Sequence, residues 1–338
     1  MSEGLTVRRL SEEPGPWWDD LCRRAGSPWN SLGPARLQGE FGVEPIFFAA
    51  FQGEHPVGGL VAYIAGSRRV RAIDPILART ALVPDEPVAV ADQPLAVPAL
   101  IQALERELDD LNVVSAVFRV ELPRLLAAKN LEARAWEVAV RGVAILDLPE
   151  REEEVDALLH KTARKQVRKA ERLGVIVEAA ADATRLLPLL DLSFRRAGLE
   201  ARDHDYVRKT LQMLGGEVLV ARHGDRDIAA LLWAPFGETA LNIYHGRDDG
   251  ETEGASNLLH REMFLRAFRR GVRLIHTGDA ALEGETDPRL LGITRFKEKM
   301  GFEVRPAFQG RKVLRPAAAA ARDLSVRAWG AFRGWWEG

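Results

Sequence analysis

The chain of 338 residues has room for one large or two ordinary domains, and 46% hydrophobic with 28% charged residues describe a soluble globular protein with a substantial core. No run approaches the roughly 20 apolar residues of a membrane helix, and the single cysteine, Cys22, excludes an internal disulfide and fits a reduced, cytoplasmic setting. The formal net charge is only −2, so any strongly basic stretch is a local concentration.

Met1 to Leu10 carries Glu3, Arg8 and Arg9 without an apolar h-region, so no secretory signal peptide is expected. Residues 5–150 read as a first α/β unit. A helix with Trp17, Trp18, Leu21 and Cys22 comes first, then a loop rich in Gly, Pro and Ser over 26–34. The place of Cys22 in a helix ahead of Arg23 and Arg24 argues against a catalytic thiol. Strands follow at 46–51 and 57–64, joined through Gln52-Gly53-Glu54-His55-Pro56. A helix at 96–108, a strand at 113–119, a short helix through Leu126 and two strands, 136–140 and 143–148, close the unit, while 68–93 reads mostly as loop and short strand.

The next stretch, HKTARKQVRKAERLGVIV from His160 to Val177, sets Lys161, Arg164, Lys165, Arg168, Lys169 and Arg172 against the single acid Glu171. Val155, Leu159, Ala163, Val167 and Ala170 recur at helical spacing and leave the basic residues outside. Gly174 stops the helix, and Val175 to Val177 begins a strand. Such a face is either a solvated surface or a landing surface for phosphates; the near absence of interleaved acids favours the second.

The run K-T-x-R-x-x-x-R-K-A, followed by G-V and a strand, resembles the entry to the second domain of the FemA/FemB/FemX family. The resemblance implies two tandem domains of the GNAT acyltransferase fold, mixed α/β, and an aminoacyl-tRNA-dependent peptidyltransferase activity. Boundaries are expected at 1–147, with 316–338 packing back on it, and at 148–315.

The second half repeats the plan of the first. FFAAFQGEHPVGGLVAYIAG from Phe47 lines up without gaps on VLVARHGDRDIAALLWAPFG from Val218, strand on strand and Gly on Gly, which suggests a duplicated domain. A strand at 240–245, a helix at 255–270, a strand at 272–277, a helix at 290–300 and a last pair of strands complete the order expected of a GNAT domain.

An acyl-CoA-dependent transferase would share that fold. Its glycine-rich loop after the fourth strand holds the pyrophosphate on backbone N–H groups and a helix N-terminus. Here that loop carries Asp248, Asp249, Glu251 and Glu253, and each exposed like-charge contact opposes a phosphate by on the order of 1 kcal/mol. The sequence therefore disfavours CoA. The following helix, from Asn257 to Met263, resembles the family pattern and is assigned no chemistry.

In the last helix Leu290, Ile293 and Met300 form one stripe with Lys297 inside it, so Lys297 should point inward, either to snorkel or to act. An inward ammonium suits acyl transfer, as a fixed charge beside the oxygen of a tetrahedral intermediate. Phe296-Lys297 matches the F-K motif of the FemABX family, which implies catalysis by Lys297 and a pocket shaped by Phe296. Arg196, Arg202 and Tyr206 resemble the family's R-x-x-F-x-x-R-x-x-x-Y stretch, with Leu199 replacing its aromatic residue. Arginine forks suit phosphate, and the resemblance implies binding of the acceptor diphosphate by these residues. In the first domain the family's Q-S-x-x-W motif has only Asn30-Ser31 as counterpart, and the associated basic role would fall to Arg36.

The helical hairpin of FemA and FemB has no room in this chain, so the compact FemX-like form is the nearer likeness. In that form the tail from Pro316, with Leu324, Trp329, Phe332, Trp335 and Trp336, docks on the first domain; a second reading lays it on the inner membrane surface. The implied reaction moves a small amino acid from aminoacyl-tRNA to an amine of UDP-MurNAc-pentapeptide or lipid II, in cell-wall cross-bridge formation. Lys161, Arg164, Lys165, Arg168 and Lys169 would meet tRNA phosphates. No cofactor beyond the tRNA co-substrate is implied, and the seven histidines lack the spacing of metal ligands. Asp279 and Glu298 are near Lys297 in sequence, but nothing assigns a general base. The other readings are a CoA-dependent N-acyltransferase acting on an amino sugar or surface polysaccharide, and a non-catalytic RNA-binding duplicate.

Overall fold

The computed structural model describes residues 4–66, 79–91, 93–121, 125–250 and 254–320. The chain forms two compact units, one of Met1–Val140 with the chain from Phe308 onward, the other of Arg141–Ala307.

In the first unit β1 (Leu5–Arg9) pairs with β2 (Glu44–Gln52), and β2 makes a hairpin with β3 (His55–Ala65). Then come β4 (Thr80–Val83), the two-residue β5 (Val88–Ala89) beside β3, and β6 (Ser115–Arg119), parallel to β4. The Ala96–Asp110 helix buries Leu100, Ile101, Leu104 and Leu108 at helical spacing against Phe48, Leu60 and Phe118. Cys22 is buried with Trp18 and Leu21, and burial pushes its thiol far above the usual range, so it is an inert core residue.

The second unit is a sheet in the order β7-β12-β11-β10-β9-β8, with β7 (Glu137–Asp147), β8 (Ile176–Ala180), β9 (Glu217–His223), β10 (Arg226–Phe236), β11 (Thr239–Arg247) and β12 (Leu274–Ala280). Only β11 and β12 are parallel, because the Ala255–Arg269 helix crosses over between them. That helix and the basic helix Lys161–Arg172 bury Leu258, Leu259, Phe264, Ala163, Val167 and Ala170 on one face. The Leu186–Arg196 helix covers the other with Leu186, Leu187, Leu189 and Leu190. The last strand, β13 (Glu303–Val313), carries the chain back, its Gln309–Val313 antiparallel to β6.

The duplicated hairpins have the same turn. Gln52 faces His55 around Gly53 at φ 60°, and His223 faces Arg226 around Gly224 at φ 58°.

Several expectations are corrected. The two strands before residue 148 are the single strand β7; it runs through Gly142, where any Cβ would meet the Ala280 carbonyl oxygen at 2.4 Å, so the glycine marks a close approach and not a break. The final pair of strands is likewise the single strand β13. The unit boundaries fall at 140/141 and 307/308, not at 147/148 and 315/316, because Gly142–Asp147 pairs with β12 and Gln309–Val313 with β6. The loop expected at 26–34 gives way to the Leu32–Glu40 helix. The aromatic tail residues and Glu251 and Glu253 lie outside the described residues.

Candidate functional site

The site is built where β11 and β12 part. Their parallel ladder joins Thr239–Leu241 to Leu274–His276 and stops there, and a cavity of about 760 Å³ opens at the carboxyl ends of the two strands. A bulge adds to it. Leu232 faces Tyr244 and Trp233 faces Asn242, so Ile243 is the extra residue. The alternation of faces slips by one, which leaves both Asn242 and His245 on the cavity side while Ile243 and Tyr244 pack toward the core under the Leu186–Arg196 helix. The Ala255–Arg269 helix adds Ser256, Asn257 and His260, the Pro288–Lys299 helix adds Ile293, Phe296 and Lys297, and Gln166 comes from the basic helix.

Lys297 points inward as its stripe requires. Its Nζ donates to the carbonyl oxygens of Thr277 at 2.6 Å and Asp279 at 2.8 Å, both on the strand that has left its neighbour. An ammonium has three donors, so one N–H remains for a ligand. Burial pulls Lys297 down from 10.5 to about 8, with the Asp279 charge opposing the shift. Ile293, expected in the buried stripe, is 41% exposed and borders the cavity, while Met300 is fully buried.

Phe296 packs with two imidazoles. The His245 ring lies nearly parallel to it, 6.4 Å between centroids, His260 meets it edge-on at 5.2 Å, and the two imidazoles are 5.1 Å apart. Burial first, then His260 and the cationic Arg247 and Arg196, hold His245 well below the usual histidine range, so it is neutral at pH 7. Its Nε2 is 3.1 Å from Ser256 Oγ. His260 lies 2.7 Å through Nδ1 from the Ser256 carbonyl oxygen and 3.3 Å through Nε2 from Asn242 Nδ2, which also donates to Thr277 Oγ1 at 3.2 Å. Sequence reading missed this group, since the two histidines are fifteen residues apart on different elements; the polar Asn242 and His245 within the strand were the signal.

The arginines are engaged elsewhere. Arg196 donates to the carbonyl oxygens of Arg247 at 2.6 Å and Asp248 at 3.3 Å and pairs with Asp249 at 3.1 Å, so it braces the loop after β11. Arg202 lies over the Phe194 ring at 5.7 Å, and Tyr206 stands beside Tyr244, whose hydroxyl is pushed up to about 12 chiefly by burial. Arg202 and Tyr206 do not line the cavity. In the first unit Arg36 forks onto Glu13, with Nη2 to Oε1 at 2.6 Å, and Asn30 is a buried structural residue that donates to Ser27 Oγ and the Glu86 carbonyl oxygen.

The basic helix presents Lys161, Lys165 and Arg168 to solvent, with Arg164 half-buried. Among the described residues none of these four has a carboxylate within ion-pair distance, and together they line one surface groove. The acidic loop is less hostile to phosphate than its sequence implies, because Asp248 pairs with Arg226 and Asp249 with Arg196. Among the described lining residues the cavity has no carboxylate, while Arg247, Arg289 and Lys297 make it cationic. Gly254 turns into the Ala255–Arg269 helix at φ 91°, pressed so close to the basic helix that a Cβ would meet the Gln166 carbonyl oxygen at 2.1 Å.

Residues 158–297 match the acetyltransferase (GNAT) domain family. No curated protein matches the chain in sequence. Among solved structures the chain is similar to FemX, at 12% identity over 92% of this chain and 98% of that one, with a TM-score of 0.78. It is similar to L-PGS from Bacillus licheniformis at 16% identity over 92% and 96%, with a TM-score of 0.60. The tandem GNAT protein from the clavulanic acid biosynthesis pathway, solved without AcCoA, is 15% identical over 91% and 98%, with a TM-score of 0.53. The chain thus has a FemX-like fold of two GNAT units, with an acetyltransferase-family domain in the second.

Proposed function

We propose that this acyltransferase moves a small amino acid from aminoacyl-tRNA to an amine of a peptidoglycan precursor, UDP-MurNAc-pentapeptide or lipid II. The observation that carries the reading is a juxtaposition in one unit. The helix bearing Lys161, Arg164, Lys165 and Arg168 without carboxylate partners also lends Gln166 to the wall of the cavity that holds Lys297. Phosphates of a tRNA acceptor stem would follow the helix and lead the esterified 3′ end into the cavity. The free-base acceptor amine attacks the ester carbonyl carbon, the remaining N–H of Lys297 donates to the oxyanion, and on collapse the ester C–O bond breaks and the ribose oxygen leaves as a hydroxyl with the proton that the attacking nitrogen gives up. Phe296 shapes the wall against which the acyl group lies. The ester itself drives the transfer, which calls for no further cofactor. Arg196, Arg202, Tyr206 and Arg36 would have to exchange their present partners to hold a diphosphate. A membrane contact belongs to this proposal only for a lipid-linked acceptor; among the described residues no helix is long and apolar enough to cross a membrane.

A second reading, acyl transfer from CoA, is favoured by the pairing of Asp248 and Asp249 with arginines, which removes two of the four charges set against a pyrophosphate. One experiment separates the two. Labelled amino acids on a charged total tRNA pool are offered together with each acceptor, in parallel with acyl-CoA, to wild type and Lys297→Ala. Label on the acceptor with wild type alone supports aminoacyl transfer; turnover of acyl-CoA with no transfer from any tRNA replaces it with the second reading.

A further inference from the structure

The hydrogen bonds on the cavity floor fix the orientation of one side-chain amide. A backbone carbonyl can only accept, so the His260 Nδ1 facing the Ser256 carbonyl oxygen at 2.7 Å must carry the proton. In the neutral ring Nε2 then holds a lone pair and needs a donor. The Asn242 amide nitrogen stands there at 3.3 Å, and its second N–H goes to Thr277 Oγ1 at 3.2 Å. Both amide hydrogens are therefore committed, the amide cannot be turned over, and Asn242 Oδ1 is the end that no donor among the described residues reaches. Asn242 lines the cavity.

Thr277 joins this acceptor to Lys297. Its hydroxyl oxygen accepts from Asn242 and its carbonyl oxygen accepts from the Lys297 ammonium at 2.6 Å. A fixed acceptor and a fixed cationic donor thus sit on the two ends of one residue. That is the complement of an α-aminoacyl group, which carries a donating ammonium on Cα and an accepting carbonyl oxygen on the next carbon.

We infer that Asn242 Oδ1 binds the α-ammonium of the acyl donor, with His260 as the positioning residue that fixes the amide, so that the cavity selects α-aminoacyl groups over acyl groups lacking the amine. This rests on the aminoacyl-transfer reading and adds the group that would recognise the donor's amine. A neutral amide is an acceptor that can take an ammonium without adding a carboxylate beside Lys297.

The test uses the full chain and two non-hydrolysable analogues of a charged tRNA end, adenosine carrying alanine through a 3′-amide and the same compound carrying propionate in place of alanine. Calorimetry on wild type is expected to give tighter binding of the alanyl analogue, on the order of tenfold to a hundredfold, as for a hydrogen bond to a charged group. Asn242→Leu should bring the ratio to near one with little change in the propionyl affinity. Asn242→Asp, which keeps an acceptor, should keep or raise the ratio and carries the test if the leucine variant does not fold. His260→Phe, which frees the amide, should lower the ratio without touching the ligand. Equal binding of the two analogues by wild type, no binding of either, or an unchanged ratio in Asn242→Leu would overturn the inference. Transfer assayed in parallel separates the claims: discrimination without transfer from any tRNA removes the tRNA reading alone, and transfer with a flat ratio removes this inference alone.

Discussion

Replacing Lys297 by methionine keeps most of the side-chain volume and removes the charge. Of the three ammonium N–H groups, two are held by the Thr277 and Asp279 carbonyl oxygens, which leaves one for the developing oxyanion. The loss of a single such donor costs on the order of 10²–10³ in kcat, about 3–4 kcal/mol. The acid form is the active one in this scheme, and with Lys297 at about 8 it is roughly ten to one in excess at pH 7. Single-turnover transfer from preformed charged tRNA reads the chemical step directly. The ratio of wild-type to Lys297→Met rates cancels the acceptor's own titration. It should change little between pH 6 and 7, fall to about half near pH 8 and decline further above. A ratio that climbs through pH 8 would mean that the neutral amine acts as a base, and rates within about threefold of each other would reduce Lys297 to a clasp for two carbonyls.

The same shift has a sign in stability. Between about 8 and 10.5 the unfolded chain holds a proton on Lys297 that the folded chain has released, so stability should rise with pH across that window. Urea midpoints at pH 7.5 and 9.5 should therefore move apart more in wild type than in Lys297→Met; equal displacement in both would contradict the burial of the charge. Lys165→Glu with Arg168→Glu should weaken tRNA binding and flatten the slope of log K against log salt by about one for each phosphate no longer neutralised. Filter binding across a salt series reads this, and an unchanged slope would return the helix to a solvated face. Gly254→Ala forces an L residue to φ 91° and a Cβ into the Gln166 backbone. A loss of about 2–3 kcal/mol or more in urea unfolding is expected, and a loss below about 0.5 kcal/mol would show that the two helices can move apart freely.

What the sequence made legible was local. The basic helix was visible because Ala163, Val167 and Ala170 keep helical spacing, and Lys297 because it shares a stripe with Met300. The hairpins were visible because Gly53 and Gly224 both need positive φ at the same place in the same pattern. The rest depended on partners far along the chain. Arg196, Arg202 and Arg36 have the chemistry for phosphate, but whether a guanidinium is engaged by Asp249, by the Phe194 ring or by Glu13 is decided only on folding. The Asn242, His245 and His260 cluster was hidden for a different reason. The bulge at Ile243 breaks the period of two on which any strand reading relies, and the parting of two parallel strands leaves no mark in either.

The second unit is an unbroken stretch of chain, whereas the first lacks the strand beside β6 until Gln309–Val313 is added. A ribosome therefore finishes the pieces in reverse of their numbering. All of Arg141–Ala307 has been synthesised before the amino-terminal sheet receives its last strand, so the unit carrying Lys297 is able to fold first, while the other waits with β6 uncovered along one edge. During synthesis the amino-terminal half is thus the dependent partner, and a chain truncated before residue 309 would keep the site but leave that edge open.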